Sequence, residues 1–61
     1  MAASGEVYFE FIALGATVKV VAIDAATGVE IAVVGPASAR RADLERIALR
    51  KLQARLAREG G

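Results

Sequence analysis

The sequence predicts an α+β domain: a three-stranded antiparallel β-meander followed by one C-terminal α-helix packed on one sheet face, in the order β-β-β-α. Three observations carry this reading. Residues 6–34 hold three runs of period two, rich in β-branched and aromatic side chains. Two glycine-bearing turns separate those runs. Beyond Pro36 the period becomes helical, with Leu44, Ala48, Leu52 and Leu56 recurring every four residues.

The first strand covers residues 6–14, where Val7, Phe9, Phe11 and Ala13 alternate with Glu6, Tyr8, Glu10 and Ile12. Gly15-Ala16 suits a two-residue type II′ turn, which takes glycine first. Residues 17–24 form the second strand. The segment from Asp24 to Gly28 is a turn in composition, with an Asp to start it and a Gly able to take positive φ near its end. The third strand covers 29–34, and Gly35-Pro36 ends it because proline cannot continue a ladder.

These turns fix a register. Ala13 faces Val18, Phe11 faces Val20 and Phe9 faces Ala22. With Asp24 opposite Val29, Ala22 also faces Ile31 and Val20 faces Val33. One face then collects Val7, Phe9, Phe11, Ala13, Val18, Val20, Ala22, Ile31 and Val33, all apolar, so the two turn assignments support each other. The second strand is central and the other two are edges.

The helix is expected over 39–58, with Ser38 as its N-cap and Gly60-Gly61 as its stop. Together with Ile47 and Leu49, the leucine stripe spans an arc of about 200°, wider than the ≳100° stripe of a simple surface helix. One side covers the sheet, and the remainder suggests a second contact. The expected core is Phe9, Phe11, Val18, Val20, Ile31, Val33, Leu44, Ala48 and Leu52.

Composition limits what such a domain can do. A 61-residue chain makes a single small domain, residues 1–61, and buries only about 60% of the surface its unfolded form exposes. Small domains usually compensate with disulfides, a metal or a partner subunit. There is no cysteine, which excludes disulfides and thiolate metal sites, and no histidine, the usual general base and commonest metal ligand. A partner subunit is the remaining device, so a homodimer or a complex with a larger protein is expected. The N-terminal residues lack the basic and apolar regions of a secretory signal. The apolar stretch from Phe11 to Ile23 is broken by Gly15, Thr17 and Lys19 and is too short to span a bilayer. A cytoplasmic location without membrane contact follows as the expectation.

No catalytic, cofactor-binding or metal site is visible. Glu6, Glu10 and Glu30 lie on the outer sheet face, and with Asp24 they raise acid–base or cation chemistry. Nothing gathers them into a pocket, and outward glutamates on a half-exposed sheet serve solubility and ion pairing. The glycines precede no Lys-Ser/Thr motif and form no G-x-G-x-x-G, so turns account for them. Without histidine a Ser-His-Asp triad cannot form. The chain therefore reads as non-enzymatic.

Charge is divided along the chain. Residues 1–37 carry one base and four acids, a net of −3, while residues 38–61 carry seven bases and three acids, a net of +4. Arg40, Arg46, Arg50, Lys51 and Arg58 form a candidate nucleic-acid or anion contact through the helix. Against this, Arg46 and Arg50 lie on one side of the helix and Arg40, Lys51 and Arg58 on the next. Arg41, Asp43 and Arg55 have helical partners in reach through Glu45, Arg46 and Glu59. No aromatic residues interleave with the bases to stack on a single strand. A solvated charged helix is the favoured reading and nucleic-acid binding the alternative.

The outer sheet face is the other anomaly. Tyr8, Ile12, Val21, Ile23 and Val34 sit there among Glu6, Glu10, Lys19 and Glu30, where an antiparallel sheet with one solvated face alternates more cleanly. These five form a candidate partner face. The free edges of the first and third strands offer a second route to the same dimer, by strand addition.

One resemblance covers nearly the whole chain. Phe9-Glu10-Phe11, Gly15, Val18-Lys19-Val20, Ala22-Ile23-Asp24, Thr27-Gly28, Glu30 and Gly35-Pro36-Ala37 resemble a family of very short alphaproteobacterial proteins with no established function. The resemblance implies a bacterial, cytoplasmic setting and carries over no catalytic residue.

Overall fold

A computed structural model describes residues 5–59. Strands β1 (Val7–Leu14), β2 (Thr17–Asp24) and β3 (Glu30–Pro36) form one antiparallel sheet in the order β1-β2-β3, and helix α1 (Arg41–Glu59) follows. The β-β-β-α order and the expected register both hold. Phe9 faces Ala22, Phe11 faces Val20 and Ala13 faces Val18. Val20 faces Val33 and Ala22 faces Ile31.

Local chemistry explains both turns. Gly15 has φ +63°, and Ala16 is not among the positive-φ residues. That combination belongs to type II′, since a type I′ turn needs positive φ at both central positions. The Thr17 hydroxyl donates to the Leu14 carbonyl at 2.9 Å across the turn. In the second connection Asp24 is the organiser. Its Oδ2 accepts from the Thr27 amide at 2.9 Å and from the Thr27 hydroxyl at 2.8 Å. Its carbonyl accepts from the Gly28 amide at 2.8 Å, and its own amide donates to Val29 at 2.9 Å. Gly28 supplies the φ of +79° that returns the chain to the sheet.

Two boundaries differ from expectation. β3 runs through Gly35 to Pro36 instead of ending at Val34. The ladder explains why proline is harmless there. The Ala37 amide donates to the Ala16 carbonyl, and Asp24 donates to Val29, so alternate β3 residues turn their amides inward. Position 36 falls in the outward set, where an N–H would point at open solvent, and its loss removes no bond. The helix begins at Arg41 rather than residue 39. Ser38 is not its N-cap. The Arg40 carbonyl accepts from the Asp43 and Leu44 amides, which makes Arg40 the capping position, while the Ala39 amide closes a turn back to Pro36. The helix runs to Glu59, and the expected stop at Gly60-Gly61 lies outside the described residues.

The core lies between α1 and the inner sheet face. Val20, Ala22, Leu44, Ala48 and Leu52 are buried together, with Val7, Phe9, Phe11, Val18, Val29, Ile31, Val33, Ala39 and Leu56 packed against them. Ala22 and Ala48 have no exposed surface, so small side chains on both layers let the helix approach the sheet. The helix lies across β2 and β3 rather than β1. Val7, Phe9 and Phe11 on β1 are half-buried, as are Ile31 and Val33 on β3, while Ala13 is exposed. Over Phe11 the Arg41 guanidinium sits 4.4 Å from the ring centroid and supplies part of the missing cover.

Candidate interaction surface

The outer sheet face is built from four cross-strand rows. Tyr8, Ile23 and Glu30 form the first, and Glu10, Val21 and Ala32 the second. Ile12, Lys19 and Val34 form the third, and Leu14, Thr17 and Pro36 the last. Tyr8, Ile12, Val21, Ile23 and Val34 therefore share one face, as the alternation implies. Leu14, Ala32 and Pro36 complete it, beyond the five that the sequence suggests. The parity of β1 points Leu14 outward, whereas Pro36 joins the face only because β3 runs past Val34.

Exposure across this face is uneven in an informative way. Val34, Tyr8 and Leu14 are 64%, 56% and 51% exposed, whereas Val21 is 7% exposed. Ile12 and Ile23 are half-buried. Among the described residues no layer covers this face, and strand position accounts for part of the difference. Val21 has a strand on each side, and the side chains of Glu10 and Ala32 flank it. Tyr8, Leu14 and Val34 sit on edge strands with a neighbour on one side only. Val21 is thus correctly placed on the face but is not available to a partner. The apolar exposure belongs to the sheet edges more than to the face as a whole.

The helix presents its own surface. Arg40, Arg46, Arg50, Lys51 and Arg58 are all exposed. Arg46 and Arg50 are one turn apart and point away from the Leu44–Ala48–Leu52 stripe, while the other three fall on its flank. Arg46 pairs with Asp43 at 3.5 Å, and Arg55 pairs with Glu59 at 2.5 Å. Exposed pairs of this kind contribute little to stability. Arg41 does not pair with Glu45; it lies over Phe11 instead. Ile47 remains 45% exposed, so part of the wide apolar arc is left uncovered.

Candidate carboxylates do not converge. Asp24 is 6% exposed and committed to the turn through Thr27. Glu10 and Glu30 lie in different rows on opposite edge strands. Among the described residues there is no pocket and no group of three or more acidic, histidine or cysteine side chains placed to hold a metal ion. What the arrangement offers is surface: apolar strand edges on the sheet and a basic flank on the helix.

Fold and surface together define a two-layer sheet-and-helix domain whose sheet is covered on one face and over two of its three strands. The chain belongs to the family described as Domain of unknown function (DUF6898), whose model matches residues 4–59. No curated protein and no solved structure matches it. Among the described residues no helix is long and apolar enough to cross a membrane.

Proposed function

We propose that this domain is a non-enzymatic self-association module that works as a homodimer. The observation that carries the reading is the condition of β1. Its inner side chains Phe9 and Phe11 are only half-buried, and Ala13 is exposed. Its outer side chains Tyr8 and Leu14 are more than half exposed. A chain this short has little burial to spare, and a second copy is the economical source of more. A bacterial, cytoplasmic setting accompanies this reading and rests on the family resemblance alone. Light scattering across a dilution series tests it. A dimer at micromolar concentration that dissociates on dilution is expected; a stably folded monomer throughout would end the proposal.

A second reading is favoured by the exposure of Arg40, at the cap of α1, and of Arg46, Arg50, Lys51 and Arg58 along it. Lysine and arginine contacts to phosphate give affinity that falls steeply with salt. Binding to generic DNA and RNA at low and moderate salt checks it. Charge reversal at Arg50 and Lys51 should weaken any binding while leaving the helix folded, and absence of binding at low salt removes this reading.

A further inference from the structure

We infer that the self-association proceeds by strand addition at β1. The β1 strands of two copies pair antiparallel about a two-fold axis through Phe9, giving one continuous six-stranded sheet with both helices on the same face. This rests on the self-association reading and specifies its geometry.

The hydrogen-bond alternation selects the edge. The Ala25 amide donates to the Glu6 carbonyl, so residues 6, 8, 10, 12 and 14 turn their backbone groups toward β2. The amides and carbonyls of Val7, Phe9, Phe11 and Ala13 therefore point to the free edge. That edge is unbroken: the register with β2 is continuous from Val7 to Leu14, with no bulge and no proline. The other edge is shorter and ends in Pro36, which has no N–H to offer. Val21 shows what a new neighbour would do. Flanked on both sides it is 7% exposed, against 56% for Tyr8 on the edge. A strand laid beside β1 would shelter Tyr8 and Phe9 in the same way, with no layer added above the face.

Charge selects the register. Only registers that place odd residues opposite odd residues join the outward backbone groups. Centred on Glu10, the pairing sets two carboxylates directly opposite each other, which is destabilising. Centred on Phe11, it brings together the two Arg41 guanidiniums that lie over the Phe11 rings. Shifted toward the N-terminus so that Tyr8 faces its own copy, it sets Glu6 against Glu10. Centred on Phe9, it avoids all three conflicts. Phe9 faces Phe9, Val7 faces Phe11, and Tyr8 faces Glu10 of the second copy. The two Phe11 rings, and the arginines over them, then lie four residues apart along the strands, about 13 Å.

The absence of cysteine makes the register directly readable. Single-cysteine chains Tyr8→Cys, Glu10→Cys and Ile12→Cys are mixed pairwise under a glutathione redox buffer, and intact mass identifies the disulfide dimers. Outward positions in non-hydrogen-bonded pairs have the Cα separation a disulfide needs. The Phe9-centred pairing predicts that the 8/10 mixed dimer dominates. Dominance of 8/8, 8/12 or 10/12, or no preference, overturns the register; 8/12 reports the Glu10-centred pairing with both Glu10 carboxylates in place. The second test is a synthetic chain carrying N-methyl-Phe9, which removes one outward N–H and keeps the side chain. Its dimer dissociation constant should rise about tenfold or more, with an unchanged far-UV spectrum on dilution to monomer. If the wild-type chain is dimeric by light scattering yet both tests are negative, strand addition fails and self-association stands. If the chain is monomeric, both fail.

Discussion

Gly35 lies in β3 without positive φ, so its backbone alone does not require glycine. Its role is spatial. A Cβ placed there would stand 2.6 Å from Leu44 Cδ2, while Leu44 Cδ1 and Cγ, at 3.6 and 3.7 Å, would be in ordinary contact. Carbon atoms sit comfortably at about 3.5–4.0 Å, so one methyl would have to retreat by about 1 Å. Leu44 is 5% exposed and has little room. Overpacking of this kind costs about 1–3 kcal/mol. Replacing glycine returns about 0.4–1 kcal/mol by restricting the unfolded chain. Gly35→Ala should therefore destabilise by a net of about 0.5–2 kcal/mol. Leu44→Val removes the clashing methyl, at about 0.8 kcal/mol for the lost methylene plus a few tenths for helix propensity. In that background Gly35→Ala meets no obstacle and should stabilise by about 0.4–1 kcal/mol. The sign inverts, and the coupling energy equals the clash, about 1–3 kcal/mol. A domain of this length has about 3–9 kcal/mol in total, so all four chains remain measurable. Urea unfolding followed by circular dichroism, at one fixed protein concentration, provides the cycle. A Gly35→Ala effect that is neutral in the wild-type chain, or equal in both backgrounds, would refute the reasoning.

Substitutions at two further positions probe the turn and the helix start. Asp24→Ala leaves the Thr27 amide and hydroxyl without their shared acceptor and should cost about 1–3 kcal/mol, while Asp24→Asn keeps an acceptor and should cost about half as much; thermal unfolding of both compares them. Arg40→Asp places an acceptor and a negative charge at the helix N-terminus, where a guanidinium now stands. It should stabilise by about 1–2 kcal/mol, read as a rise in melting temperature of about 4–8 °C per kcal/mol. An unchanged or lower melting temperature would mean that Arg40 does not hold the capping position.

Alternation was enough to read the sheet. A shift of one residue would have turned Phe9 and Phe11 outward and Glu10 inward, so only one register satisfied both turns. Where structure and sequence part, a residue's general habit is overridden by the direction its groups point. Proline lacks a donor and so implies a stop at Pro36, yet the missing donor would face the open edge. Serine caps well, yet the chain spends two residues beyond Ser38 before the helix, in the turn that links Pro36 to Ala39. Val21 lies on the outer face, yet it is 7% exposed between its neighbours on β1 and β3. Helical spacing puts Glu45 within reach of Arg41, but Phe11, distant in sequence, competes for it across the fold.

The offset of α1 ties these details to the proposed assembly. A helix seated over β2 and β3 protects Val20, Ala22 and Leu52 completely or nearly so, and leaves β1 attached through its ladder with β2 and a thin apolar flank. Sliding the helix toward β1 would cover Phe9 and Phe11, but it would draw Leu44 away from the space that Gly35 keeps open for it. The absence of a side chain at position 35 therefore favours the seat over β3. The same glycine that fixes the helix leaves β1 exposed, and the edge available for strand addition follows from how the core is built.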